Sequence, residues 1–229
     1  MAVILPTDPA GPAAIVHPPA VSHRPPWASG GDPADAPASA LHWLAAAAVA
    51  LAALNAELAR GDSATLVLAR RCRAHGVPAA RARVTAQLLA HRVEEAPAAE
   101  RRRRLDLGPA QAIRYRRVRL HCGGRVLSEA ENWYVPGRLT PGMNRPLEET
   151  DTPFGRAIRD LRFRRLLLAA EPLWVPPAVA GEVTPAGAAT VPPHVLRHHA
   201  LLLGADGVPL SEVVETYRRE ALFLPEPPR

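Results

Sequence analysis

The sequence predicts an α+β fold in which a single antiparallel sheet carries helices packed on one face. Three observations point there. Two strand-like runs, 114–122 and 125–135, flank a Gly123-Gly124 pair, a tight-hairpin signal. A later pair of apolar runs, 194–203 and 208–224, flanks Gly204-Ala205-Asp206-Gly207. Helix-period segments come first in the chain and again as an insertion between the hairpins, so the order is helix, helix, strand, then paired strands.

Residues 1–38 are rich in Pro, Ala and Gly with no apolar period. They predict a disordered tail ahead of one domain over 39–225, and they lack the basic start of a secretory signal. Residues 41–60 predict a helix with Ser39 as N-cap and Gly61 at its end, since Leu44, Ala48, Leu51 and Leu54 recur at helical spacing. The apolar run 41–54 is shorter than the about 20 residues that a bilayer span needs, so a core helix and no membrane span are expected. Asp62 suits the cap of a second helix over 63–74, stopped by His75-Gly76-Val77-Pro78, and capping alone explains that residue choice. Residues 82–92 predict a strand with Val84, Ala86, Leu88 and Ala90 on one face.

Residues 94–104 end in Arg101-Arg102-Arg103-Arg104, with no aromatic interleaving and no helix-turn-helix pattern beside them. A solvated loop is expected there, and nucleic acid is not an expected partner. In the run that follows, alternation puts Arg114, Arg116, Val118 and Leu120 on one face, with Tyr115, Arg117, Arg119 and His121 on the other. The face with Val118 and Leu120 is the one to bury. Arg116 then sits among apolar neighbours, where a guanidinium needs something anionic beside it. The next run, to Val135-Pro136, has no cleanly apolar face and suits the wall of a partly polar cavity.

Thr140-Pro141 and Thr152-Pro153 each open a helix, the second running to about residue 161, and such starts offer free N–H groups to an anion or carbonyl. Residues 162–175 predict a long strand, and 176–193 an excursion dense in Pro, Ala and Gly. In the last arm Val213, Glu215 and Tyr217 share a face, which makes Glu215 a second charge among apolar neighbours. His194 and His198 have the spacing of helical zinc ligands but lie in a strand pattern without acidic or Cys partners nearby, so no metal or cofactor is expected.

Composition sets the outer bounds. The chain has 229 residues, and its 28 basic residues are all Arg; the net charge of +6 permits anionic ligands without requiring them. Cys72 and Cys122 are too few for a disulfide framework, and reduced thiols in a cytoplasmic protein are the default expectation.

Several motifs, taken in order, give a family resemblance. Arg116-Arg117-Val118, the Gly-rich turn, a strand ending Val135-Pro136 and Thr152-Pro153-Phe154-Gly155-Arg156 resemble chorismate lyase. Asp62-Ser63-Ala64-Thr65 and Val213-Val214-Glu215-Thr216-Tyr217 resemble further segments of that enzyme. The same stretches, with Glu131-Asn132-Trp133-Tyr134-Val135-Pro136 and Tyr217-Arg218-Arg219-Glu220, are similar to UTRA domains, effector-binding modules of transcription regulators with the same fold. The likeness covers roughly residues 40–225.

The enzyme resemblance implies elimination of pyruvate from chorismate to give 4-hydroxybenzoate, a downhill aromatisation that needs no cofactor. On that resemblance Arg116 falls on the carboxylate-binding arginine and Glu215 on the glutamate that contacts the ring hydroxyl, as a catalytic pair. Glu212 and Glu220 stay open as alternatives in register. Phe154 and Gly155 fall on the pocket-lining turn and Ala64 on the family's methionine. Where the family has a second arginine, this chain has Asn132, which removes a partner for a second carboxylate and leaves binding of a monocarboxylate. The UTRA resemblance implies instead a non-catalytic pocket for a small aromatic or carboxylate ligand.

Overall fold

The computed structural model describes residues 36–60, 63–176 and 190–227. Six strands form one antiparallel sheet in the order β1-β2-β3-β6-β5-β4. The strands are β1 (Thr85–Glu94), β2 (Ile113–Cys122), β3 (Arg125–Tyr134), β4 (Arg164–Pro172), β5 (His194–Leu203) and β6 (Pro209–Arg218). The helices are α1 (Ala36–Ala59), α2 (Ala64–Ala74), α3 (Ala99–Arg104), α4 (Pro141–Glu149) and α5 (Phe154–Ala157). The fold class is the one the hairpin pattern predicts. Gly123 and Gly124 both take positive φ (59° and 82°), as a tight β2–β3 turn requires.

The sheet's two hairpins meet through β3 and β6, where Ala130 faces Glu215 and Asn132 faces Val213. With Arg116 opposite Asn132, and Val118 opposite Ala130, one sheet face presents Arg116, Val118, Ala130, Asn132, Val213 and Glu215 side by side. The main core lies between this face and α1, α2, α4 and α5, and includes Leu54, Leu58, Val67, Leu68, Leu147 and Ile158.

Several boundaries differ from expectation. α1 is described from Ala36, so Ser39 lies inside it rather than at its start. Ala40–Ala59 is a 20-residue apolar stretch, long enough by length and composition to cross a bilayer, contrary to the length argument from the sequence. Here Leu44, Ala47, Leu51, Leu54 and Leu58 bury one side of it in the core, while Leu41 and Val49 stay exposed. Asp62, the rest of the expected tail and most of the 176–193 excursion lie outside the described residues.

The arginine run is not a solvated loop. α3 lies over the sheet face opposite the main core, and Arg104 donates to both oxygens of the buried Glu212 (3.0 and 2.7 Å). Arg101 stacks 3.6 Å over the Trp133 ring, and beside it Leu105, Ile113, Val135, Leu201 and Leu203 form a second, smaller core. Cys72 and Cys122, expected as free thiols, are joined in a disulfide between α2 and the end of β2.

Candidate functional site

Period-2 alternation aims Arg116 into the core side of the sheet, where it is 1% exposed. Its Nε donates to the Leu147 carbonyl (3.0 Å) and one terminal nitrogen to the Thr152 carbonyl (3.1 Å). Among the described residues no carboxylate forms an ion pair with it. Burial lowers its pKa from the ordinary guanidinium value, the mark of a desolvated cation short of counter-charge. Arg117, one residue on, points the other way and pairs with Glu129.

Arg116 lines a small chamber of about 40 Å³ together with Ala64, Asn132, Phe154, Gly155 and Glu215. These are the six residues that the sequence singles out, drawn from α2, β2, β3, α5 and β6. Of the alternatives to Glu215, Glu212 faces α3 across the sheet, and Glu220 sits in the turn after β6 beside Arg218. Phe154 packs against Tyr134, ring centres 5.4 Å apart, so the turn's aromatic wall is held by β3. Asn132 accepts a short hydrogen bond from the Ser211 hydroxyl.

Glu215 is not alone. Arg165 on β4 reaches its Oε2 at 2.7 Å, and the Tyr217 hydroxyl donates to the same oxygen at 2.9 Å. Burial works against the Arg165 charge, but Glu215 more than offsets it and holds the pKa above the ordinary value. The network continues from Arg165 to His198 Nδ1 (3.3 Å) and from His198 Nε2 to Asn55 on α1 (2.8 Å). Burial first, then the Arg165 charge, pushes the His198 pKa down to about 4. A neutral imidazole protonated at Nε2 satisfies both contacts. Arg165 was missed from the sequence: β4 is an edge strand with most residues exposed, and nothing local marks this arginine as inward.

The chamber opens outward. Ser63, Thr65, Gly155 and Phe163 line it and also line a neighbouring cavity of about 430 Å³ bounded by Arg156, Arg159 and Arg162. An inner chamber of about 40 Å³ exceeds the roughly 10–15 Å³ one water needs but falls well short of the about 150 Å³ that takes benzene. It fits an acid group. A ring is too large to be enclosed with it.

Fold and site together define a single-sheet α+β protein with a partly closed, arginine-lined chamber. No protein-family model matches the chain. It is 44% identical over 184 residues to the uncharacterized protein y4mC of Sinorhizobium fredii (strain NBRC 101917 / NGR234), covering 77% of each, and it belongs to that protein's family. Among solved structures it is similar to PhnF from Mycobacterium smegmatis (TM-score 0.48, 14% identity, 70% of this chain and 65% of that one). The effector domain of PhnF gives a TM-score of 0.46 at 15% identity, over 69% of this chain and 88% of that domain. The possible transcriptional regulator YydK from Bacillus subtilis gives 0.41 at 17% identity, over 60% of this chain. The chain spans less than two thirds of the PhnF chain (65%) and of YydK (58%).

Proposed function

We propose that the protein is a non-catalytic binding module for a small ligand carrying an acid, an aromatic or aliphatic carboxylate, with the acid seated on Arg116. The observation that carries this is a buried guanidinium, with no carboxylate partner among the described residues, on the wall of a chamber the size of an acid group. A protein cation left in that state gains most from an incoming anion, because a charge-assisted pair in a dry site is worth more than one in water. Glu215 lies on the same chamber with Oε2 held by Arg165 and Tyr217, and its other oxygen suits a ligand hydroxyl.

The test compares two neighbouring arginines. Benzoate, 4-hydroxybenzoate and short aliphatic acids should stabilise the protein by mass action, read as a rise in Tm and as heat in calorimetry. Arg116→Ala should abolish binding, a loss of about 2 to 5 kcal/mol. Arg117→Ala should leave it intact, since an exposed ion pair contributes about 0 to 1 kcal/mol. Equal effects at both positions, or no binding by the wild type, would reduce Arg116 to a structural clamp on the Leu147 and Thr152 carbonyls.

A second reading, a chorismate lyase-like enzyme, draws support from Arg116 and Glu215 lining one chamber. Against it stand Asn132 at the resemblance's second arginine and the commitment of Glu215 Oε2 to Arg165. Appearance of 4-hydroxybenzoate from chorismate, lost in Glu215→Gln, would make this reading the better one. Neither reading calls for a cofactor, and both go with a cytoplasmic location and with a dispensable tail, which ends before α1, at residue 35 rather than at the expected 38.

A further inference from the structure

The larger cavity outside the chamber has a composition of its own. Arg156, Arg159 and Arg162 line it, in seven consecutive residues that leave α5 and turn into β4. Arg162 is fixed at the rim by a left-handed backbone (φ 48°, ψ 41°). Arg159 pairs with Asp160, both largely solvent-exposed; among the described residues no carboxylate is in ion-pair contact with Arg156 or Arg162. The Arg156 pKa is lowered by burial and by the nearby charges of Arg83 and Arg159, with Asp151 working the other way. Like charges are therefore gathered at one opening with too little acid to balance them, a state that an anion relieves.

The start of α2 adds donors to the same opening. Ser63 precedes the helix, yet its side chain makes no capping bond, and the first turn of α2 carries no acidic residue. The backbone N–H groups of Ala64 and Thr65 have no intrahelical acceptor by their position, and both residues line the inner chamber. Ser63 and Thr65 border both cavities, so the start of α2 lies between the Arg116 seat and the arginine rim.

We propose that the site is bipartite, with Arg116 as the inner acid seat and Arg156 with Arg162 as an outer one, so that the ligand is a compact dianion. One acid enters the chamber while the second acid, a carboxylate or phosphate, stays at the mouth. The proposal rests on the reading of Arg116 as an acid seat. It goes further by fixing the ligand class: the second cation that Asn132 does not supply inside the chamber comes from outside it. The inner volume fits this, since only the first acid has to be enclosed.

Calorimetry with straight-chain dicarboxylates from succinate to suberate, against monocarboxylates of the same length, tests it without presupposing the span. ω-Phosphonocarboxylates form a third arm that separates a phosphate from a carboxylate at the outer seat. At least one dianion should bind ten-fold or more tighter than its matched monoanion, with the advantage shrinking in high salt. The Arg156→Ala/Arg162→Ala double variant should erase that advantage while leaving monocarboxylate affinity within two- or three-fold of wild type. Arg116→Ala should lose both classes. Monocarboxylates that bind as tightly as every dianion overturn the bipartite site and leave the inner seat standing. Failure of every acid to bind overturns both.

Discussion

At the scale of single residues, the chamber depends on one absent side chain. A Cβ built on Gly155 would clash with the Ser63 hydroxyl, inside any allowed contact. Glycine here allows close approach between the start of α5 and the residue that precedes α2, with the Ser63 hydroxyl the atom that must give way to any larger side chain. Gly155→Ala should cost about 1 to 3 kcal/mol by overpacking, which in a chain of this size is a Tm drop of roughly 2 to 12 °C. Because the clash is with Oγ, adding Ser63→Ala should recover most of the loss. A single variant as stable as wild type would show that Ser63 swings aside freely, and a double variant no better than the single would place the strain elsewhere. The sequence made Gly155 visible through its motif, but the partner that explains it lies 92 positions earlier.

At the scale of elements, β4, β5 and β6 are tied to α1 by the row Glu215, Arg165, His198 and Asn55. His198 titrates near 6.5 when unfolded and at about 4 when folded. Between those values the unfolded chain takes up a proton that the folded protein refuses. Stability is thus untouched above about pH 6.5, falls as the pH drops towards 4, and then levels off, with a full loss of about 3 kcal/mol from this one group. His75 and His91 are also lowered by burial, so the readout is the difference between wild type and His198→Gln in denaturant melts across that range. The variant should show the shallower decline; parallel curves would mean that His198 takes up its proton as readily in the fold as in the unfolded chain. The strands of this row were legible because alternation is a local signal. Its partnerships were not, since Arg165 meets an acid 50 residues away and Arg104 meets one 108 residues away. A basic run reads the same in solvent as against Glu212, and α3 was misread for that reason.

At the scale of the whole molecule, the covalent link between Cys72 and Cys122 ties the helical layer to the sheet. Two cysteines among 229 residues make no framework, and composition therefore favoured free thiols. What composition does not reveal is that α2 packs over β2 and brings the two sulfurs together from opposite layers. The link closes a loop of 50 residues, for which the chain-entropy argument gives about 4 kcal/mol of stabilisation. Both residues are at most 1% exposed, so reductant should act slowly on the folded protein and quickly once it opens. The link also bears on the site. Ser63 with Ala64 and Thr65 at the start of α2 line the chamber, and β2 brings Arg116 to the same chamber. Cys72→Ser/Cys122→Ser should therefore lower the denaturant midpoint by an amount worth about 2 to 5 kcal/mol and weaken carboxylate binding as well. Protein purified without reductant and then denatured should show no free thiol to alkylating reagent. Two reactive thiols would mean that the layers are held by apolar packing alone, and reductant should then leave the wild-type denaturant midpoint unchanged. Alkylation at the moment of cell lysis decides whether the link also forms in the reducing compartment that a cytoplasmic location implies.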